Sequence, residues 1–432
     1  MKNRKALALI AILALVAAAC GGSDGGSDEA VVEVETTEAP ATTEAPTTTA
    51  APAPASDPLI LASLMPLSGD LASLGPGIAL GAALAVEQIN AAGGINGQPV
   101  QLIEGDSGCD GAVALTSLND VIAQGAQGVM GAACSSTSLA ILDTAIAAEV
   151  VMISPSNTSP QFTKIDKKGF YARTAPSDLL QGDVLASLLV EDGVQTVSII
   201  SRADSYGRGL AEATAAAFEA AGGTVKTIVY HATDASEFTS EVTAVGKGGA
   251  DAIVGILFPE TGCGVLQPAF EQGLLDTPWY MTDGVKDAGL ASLCGLGTAL
   301  DGFKGTAPGS AAGEAKDAFE AAYAEVSADG SPTFIFAPQA YDAVMLMAIS
   351  AAANGVTGPE IASGLVAASS GGEKCIGVAC IALAADGVDV DYVGASGEIE
   401  LNAVGDPTAA TYDIWTTEGD TNPVLKSVDF GS

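Results

Sequence analysis

Small hydroxyl residues collect at two places where this chain could do chemistry. Cys134-Ser135-Ser136-Thr137-Ser138 follows a short apolar run ending near Gly131. Ser154-Pro155-Ser156-Asn157-Thr158-Ser159-Pro160 follows another ending near Ile153. Where a strand runs into a helix, free backbone N–H groups and the helix dipole suit a carboxylate. Ser and Thr hydroxyls add neutral donors with little bulk. The same residues are common N-caps and turn formers, and composition alone favours that local-structure reading.

Catalytic patterns are weaker. Gly105-Asp106-Ser107-Gly108 spells the nucleophile loop of trypsin-like proteases, but Cys109 replaces the next glycine and the single histidine, His231, lies C-terminal to the serine. GGSDG at 21–25 fits G-x-S-x-G only in spelling, because no strand-to-helix elbow surrounds it. Gly75-Pro76-Gly77 with Gly81 has the wrong spacing for a dinucleotide fingerprint and opens a helix N-terminus instead. There is no P-loop, HExxH or EF-hand pattern, so no cofactor or metal is expected. His231 is expected at a strand end or on the surface and receives no role. No nucleophile is paired with a base, which argues against an enzyme.

The elements that must position these residues follow from hydropathy. From Leu59 onward, near-continuous aliphatic runs alternate with Ala-rich helical stretches. Strands are expected at 59–65, 100–105, 128–131 and 150–154, with helices near 77–92, 112–124 and 137–148. The alternation restarts with helix 178–191 and strands 196–201, 224–230, 252–257 and 278–283, separated by helices near 208–221, 238–247 and 263–273. Three helices near 312–327, 336–353 and 359–369 and a strand at 411–416 follow. Apolar strands separated by helices predict parallel sheets covered on both faces, here two doubly wound α/β domains. Such sheets offer ligand crevices at their strand C-termini.

The 432 residues carry 16 Lys+Arg against 52 Asp+Glu, a formal charge of −36. That excludes a nucleic-acid clamp and disfavours docking on anionic lipid. Lys2, Arg4 and Lys5 precede an uncharged run from Ala6 to Ala19, then Cys20. This predicts a signal peptide over 1–19, with Cys20 lipidated as in bacterial lipoproteins. Ala17 stands where Leu is commoner in such signals. Its removal takes three basic residues and no acidic ones, so −36 becomes −39. Residues 20–57, rich in Gly, Ser, Thr, Pro and Ala with TTEAP at 36–40 and 42–46, predict an extended disordered stalk open to O-glycosylation. Six cysteines remain, and fifteen pairings are possible. Spacing makes neighbours of Cys109 and Cys134, Cys263 and Cys294, and Cys375 and Cys380; a zinc site at Cys375-x4-Cys380 lacks a second half.

INAAGGINGQPVQL at 89–102, with the preceding PLSGDLASLGPGIALGAALAVEQ, resembles the leucine/isoleucine/valine-binding protein family, the type I solute-binding proteins of ABC transporters. The resemblance runs on through GDSGCD (105–110), GAACSSTS (131–138), ISPSNTSPQF (153–162), ARTAPSDLLQG (172–182), DSYGRGLAEA (204–213) and GEIEL (397–401). It implies two lobes joined by crossovers near 176, 305 and 394, with 58–176 plus 306–393 forming one lobe and 177–305 plus 394–432 the other. It implies the Cys109–Cys134 disulfide. It implies that Ser135 and Thr158 receive a ligand carboxylate, and that the Ser156 carbonyl, Thr158 and Asp283 hold its ammonium. Tyr206 and Phe258 would close from the second lobe, and Asp178, at the first crossover, would face the cleft. Phe258 and Leu74 replace tyrosines common in the family, which shifts the ligand side chain more than its head group. Asp283 could instead cap the short helix after it.

The expected protein is therefore a monomeric, lipid-anchored receptor on the outer face of a bacterial membrane. It would deliver a branched-chain or other apolar amino acid to ABC permease and ATPase subunits. The alternatives are a receptor of the same fold for an amide, urea or aromatic acid, and a ligand-sensing module for a signalling partner. A strongly acidic field favours a zwitterion or neutral solute over a dicarboxylate.

Overall fold

The computed structural model describes residues 57–430. The signal peptide, Cys20 and the stalk lie outside the described residues. Five parallel strands make the first sheet: β1 (Ile60–Met65), β2 (Gln101–Asp106), β3 (Gly128–Gly131), β4 (Val151–Ser154) and β5 (Tyr171–Arg173), in the order β2-β1-β3-β4-β5. Between them run α1 (Gly75–Ala91), α2 (Gly111–Ala123), α3 (Ser135–Ala147) and the short α4 (Gln161–Lys164). β1, β3 and β4 are buried almost throughout, as expected of strands covered on both faces.

After α5 (Asp178–Glu191) the same winding builds a second sheet. β6 (Thr196–Arg202), β7 (Thr224–His231), β8 (Ala252–Ile256) and β9 (Trp279–Met281) alternate with α6 (Ser205–Ala220), α7 (Thr239–Gly246) and α8 (Pro259–Glu271). A one-turn helix, α9 (Leu290–Leu293), precedes β10 (Lys304–Pro308), which pairs parallel with β9. α10 (Glu314–Val326), α11 (Ala337–Asn354) and α12 (Gly358–Ala368) come next. A small third sheet holds β11 (Glu373–Ile376), β12 (Val390–Gly394) and β13 (Gly397–Glu398), with α13 (Ala379–Ala385) inserted. The chain then returns to the second sheet as β14 (Ala410–Thr416) and β15 (Val424–Phe430), giving the order β15-β14-β10-β9-β8-β6-β7.

The second sheet is therefore mixed, where hydropathy alone predicted parallel strands. β14 pairs antiparallel with β10 and with β15. Only a short turn joins β14 to β15, too short for the crossover that a parallel pair needs. α11 is buried along Ala337–Ala351 and packs on α1 and α12. Gly81 permits that approach, since a Cβ there would lie 2.2 Å from the Ala337 carbonyl oxygen. Among the described residues no helix is long and apolar enough to cross a membrane.

Three disulfides join Cys109 to Cys134, Cys263 to Cys294 and Cys375 to Cys380, with Cα–Cα separations of 5.5, 4.9 and 5.4 Å. In the chain-entropy picture, closing a loop of the first size is worth about 3 kcal/mol.

Candidate functional site

Much of the hydroxyl-rich sequence is spent on local structure. Ser154 Oγ donates to the Ala132 carbonyl (2.7 Å) and receives the N–H groups of Ser156 (3.3 Å) and Asn157 (3.1 Å). Asn157 Nδ2 donates to the carbonyls of Ala132 (3.1 Å) and Ala133 (2.7 Å). These bonds lock the segment after β4 onto the segment after β3. Ser156 Oγ donates to the Ala133 carbonyl (3.0 Å) and Ser135 Oγ accepts the Ser159 N–H (3.4 Å), and both residues border a small cavity between the two large sheets. Ser135, Ser156 and Ala133 line it from the first sheet's side; Tyr206, Phe258, Asp283 and Gly284 line it from the second. Leu71, Leu74, Ile78 and Phe336 complete a carbon-only wall.

Each polar group at the cavity arrives by a local rule. Ser135 is the first residue of α3, so its N–H belongs to the helix terminus that lacks intrahelical partners. Tyr206 sits in the first turn of α6, whose N-cap Asp204 accepts the Gly207 N–H at 2.9 Å. Asp283 follows β9. Gly284 lets that turn pass under Phe258: a Cβ there would come within 2.4 Å of the Leu257 carbonyl and 2.9 Å of the Phe258 ring.

Asp283 caps nothing. Thr282 occupies the N-cap position of the short 3-10 turn that Asp283 begins. The carboxylate instead receives Gln181 Nε2 at 2.8 Å and the Tyr206 hydroxyl at 2.9 Å. Gln181 is steered by the Thr306 carbonyl, to which it also donates at 3.1 Å. Thr158 and Asp178 do not line the cavity. They lie side by side, fully buried, with the Asp178 N–H donating to the Thr158 carbonyl at 2.8 Å. The Thr158 hydroxyl, both Asp178 carboxylate oxygens and Gln181 Oε1 have no hydrogen-bond partner.

The electrostatics are one-sided. Burial pushes Asp283 up to about 6, against the bonds from Gln181 and Tyr206. Burial, and then the neighbouring Asp283 charge, pushes Asp178 well above the carboxylate range. Neither acid is ion-paired among the described residues. Two buried carboxylates without a counter-ion are costly; protonation relieves that cost in the free protein, and a cation brought in from outside would relieve it with Asp283 ionised.

Residues that sequence reasoning singled out thus divide. Ser135, Ser156, Tyr206, Phe258 and Asp283 meet on one cavity, together with Leu74; Thr158 and Asp178 form a buried layer that does not line it. His231 ends β7, fully buried against Phe238, with Nδ1 facing the Ala232 carbonyl at 2.9 Å. Leu71, Ile78, Phe336 and Gln181 were not anticipated. Their types carry no chemical signal, and only the tertiary fold brings them to the site.

Two wound α/β sheets thus enclose a small, part-polar cavity between them. The chain belongs to the periplasmic binding protein family, whose model matches residues 58–374. It is 34% identical over 238 residues to an amino acid binding protein of Pseudomonas aeruginosa, covering 53% of this chain and 62% of that protein. It is 30% identical over 304 residues to the leucine-, isoleucine-, valine-, threonine- and alanine-binding protein of the same organism, covering 68% and 78%. Among solved structures, the branched-chain amino acid transporter substrate-binding protein of Streptococcus pneumoniae in complex with isoleucine superimposes with a TM-score of 0.72 at 22% identity. It covers 87% of this chain and all of that one. A solute-binding protein of an ABC transporter from R. palustris in complex with 4-hydroxybenzoate gives the same TM-score at 18% identity, covering 87% and 98%. These likenesses establish the fold.

Proposed function

We propose that the chain is an extracytoplasmic receptor that captures an apolar α-amino acid between its lobes and hands it to an ABC importer. The observation that carries this is the pair of buried, unpaired carboxylates, Asp283 and Asp178, close to a wall made only of carbon. An α-amino acid answers every part of it. Its ammonium pairs with the Asp283 carboxylate while Asp178, held well above the carboxylate range, keeps its proton, its carboxylate meets Ser135 at the N-terminus of α3, and an aliphatic side chain covers Leu71, Leu74, Ile78, Phe258 and Phe336. Thr158 and the Ser156 carbonyl serve as further polar contacts. Relatives named for amino acids support the reading.

In the same reading residues 58–176 with 306–393, and 177–305 with 394–432, are the two lobes, closing by a hinge. The signal over 1–19 and lipid on Cys20 would anchor a monomer outside the membrane by the 20–57 stalk, beside permease and ATPase subunits. The protein binds and releases its solute without turnover.

An aromatic acid, as in the R. palustris neighbour, would bring an anion and no cation to two buried acids. Calorimetry with leucine, its deaminated analogue isocaproate, and 4-hydroxybenzoate separates the two. Leucine should bind, and loss of its ammonium should cost at least a hundredfold, on the scale of an unpaired buried charge. Equal binding of isocaproate would refute the amino-acid assignment.

A further inference from the structure

α8 lacks a cap of its own. Its N-cap residue, Phe258, offers no side-chain acceptor, and Pro259 fills the first turn. The missing acceptor comes from the other side of the cavity. Asp70, in the loop between β1 and α1, accepts the Thr261 N–H through Oδ1 at 2.8 Å and the Thr261 hydroxyl through Oδ2 at 2.9 Å. The same oxygen receives the Arg202 guanidinium, which also reaches Thr261 Oγ1 at 3.1 Å. A reciprocal bond runs back, from the Ser73 N–H to Glu260 Oε1 at 3.0 Å. A carboxylate at a helix N-terminus is favoured by the dipole and by the orphan N–H groups. Here helix and carboxylate stand on different lobes.

Arg202 links this contact to the cavity. Its guanidinium lies 3.8 Å from the centre of the Phe258 ring, and Phe258 stacks on Tyr206 with ring centres 5.3 Å apart. Tyr206 in turn donates to Asp283. Asp204 holds the other side of Arg202 at 2.9 Å, so the arginine keeps a partner when the lobes part. Asp70 is the member that hinge opening removes.

We propose that Asp70 is an interlobe latch: by capping α8 in trans and holding Arg202 against Phe258, it stabilises the closed form before any ligand arrives and slows ligand release. Asp70 touches no ligand; it is a positioning residue that acts through Arg202, Phe258 and Tyr206. The inference rests on the binding reading only in taking the closed form as the one that holds ligand. A protein whose competent state is better populated binds with a proportionally lower apparent Kd.

The test uses the mature protein with distance labels on exposed Asn119 and Glu219, read by pulsed electron resonance without ligand. Asp70→Ala should lower the closed fraction by about tenfold and Asp70→Glu should retain it, with melting temperatures of both near wild type. In stopped flow with leucine, Asp70→Ala should raise koff by about tenfold and leave kon within about twofold. A ligand-free distance distribution identical in wild type and Asp70→Ala overturns the latch. Should wild type fail to bind leucine, the amino-acid reading falls, while the ligand-free distances still decide the latch.

Discussion

The buried aspartates among the described residues meet three different fates. Asp406 sits among cations: Arg173 Nε donates to it at 2.9 Å, Lys167 Nζ lies 3.6 Å away, and the Thr163 hydroxyl adds a bond at 2.6 Å. Burial opposes its ionisation, but the Arg173 charge and these bonds prevail and its pKa is lowered. Asp342 has no ion-pair partner among the described residues, yet four donors saturate it: the Tyr392 and Ser396 hydroxyls and the Ala395 and Ser396 N–H groups, at 2.6–2.9 Å. Asp283 has two donors, and its neighbour Asp178 has unsatisfied oxygens. Burial raises Asp342 and Asp283 alike, each to about 6. A raised pKa therefore does not mark the site. Unused acceptor capacity beside a cavity does.

The largest effect that would test this contrast is on stability. Arg173→Met removes the strongest partner of Asp406, leaving Lys167 3.6 Å away, and also frees the Asn157 and Ser159 carbonyls; it should cost about 3–5 kcal/mol in urea unfolding. Asp283→Ala should do the reverse: leucine binding weakens by at least about a hundredfold, with urea midpoint unchanged or raised. Binding within a few fold of wild type would erase the distinction between the two acids. Ser135→Ala should cost about tenfold to a hundredfold in affinity, the worth of one hydrogen bond to a charged group whose helix N–H remains.

Acidity tests the pair more gently. A carboxyl with its folded pKa raised binds more protons in the native than in the unfolded state, so ligand-free stability contributed at Asp283 is lost as pH rises from about 4 to about 6. A ligand ammonium favours the ionised form, so leucine affinity should rise as pH climbs through about 6, with proton release detectable by calorimetry in buffers of different ionisation enthalpy. Asp283→Asn should flatten that slope, whereas Asp342→Asn should leave it intact.

Legibility followed length and local signal. β1, α1, β6 and α5 could be read because their apolar runs are long and bounded. β5, with three residues, and β11, which carries Lys374, show no periodicity to find; β12 does alternate apolar with polar residues (Val390, Asp391, Tyr392) but is only five residues long. β15 escaped because it is a largely exposed edge strand. At the cavity, Ser135 and Ser156 lie in hydroxyl clusters that follow strands, and Asp283, Tyr206 and Phe258 were indicated by resemblance. Asp70 and Arg202 are separated by 132 positions, and nothing local in either predicts the other.

None of the three disulfides joins the first large sheet to the second. Cys109–Cys134 follows strands of one, Cys263–Cys294 flanks a strand of the other, and Cys375–Cys380 clasps the small third sheet. The covalent reinforcement thus stiffens each sheet with its own helices and places no bond across the cavity, so the stability of each unit and the spacing between them can be altered independently.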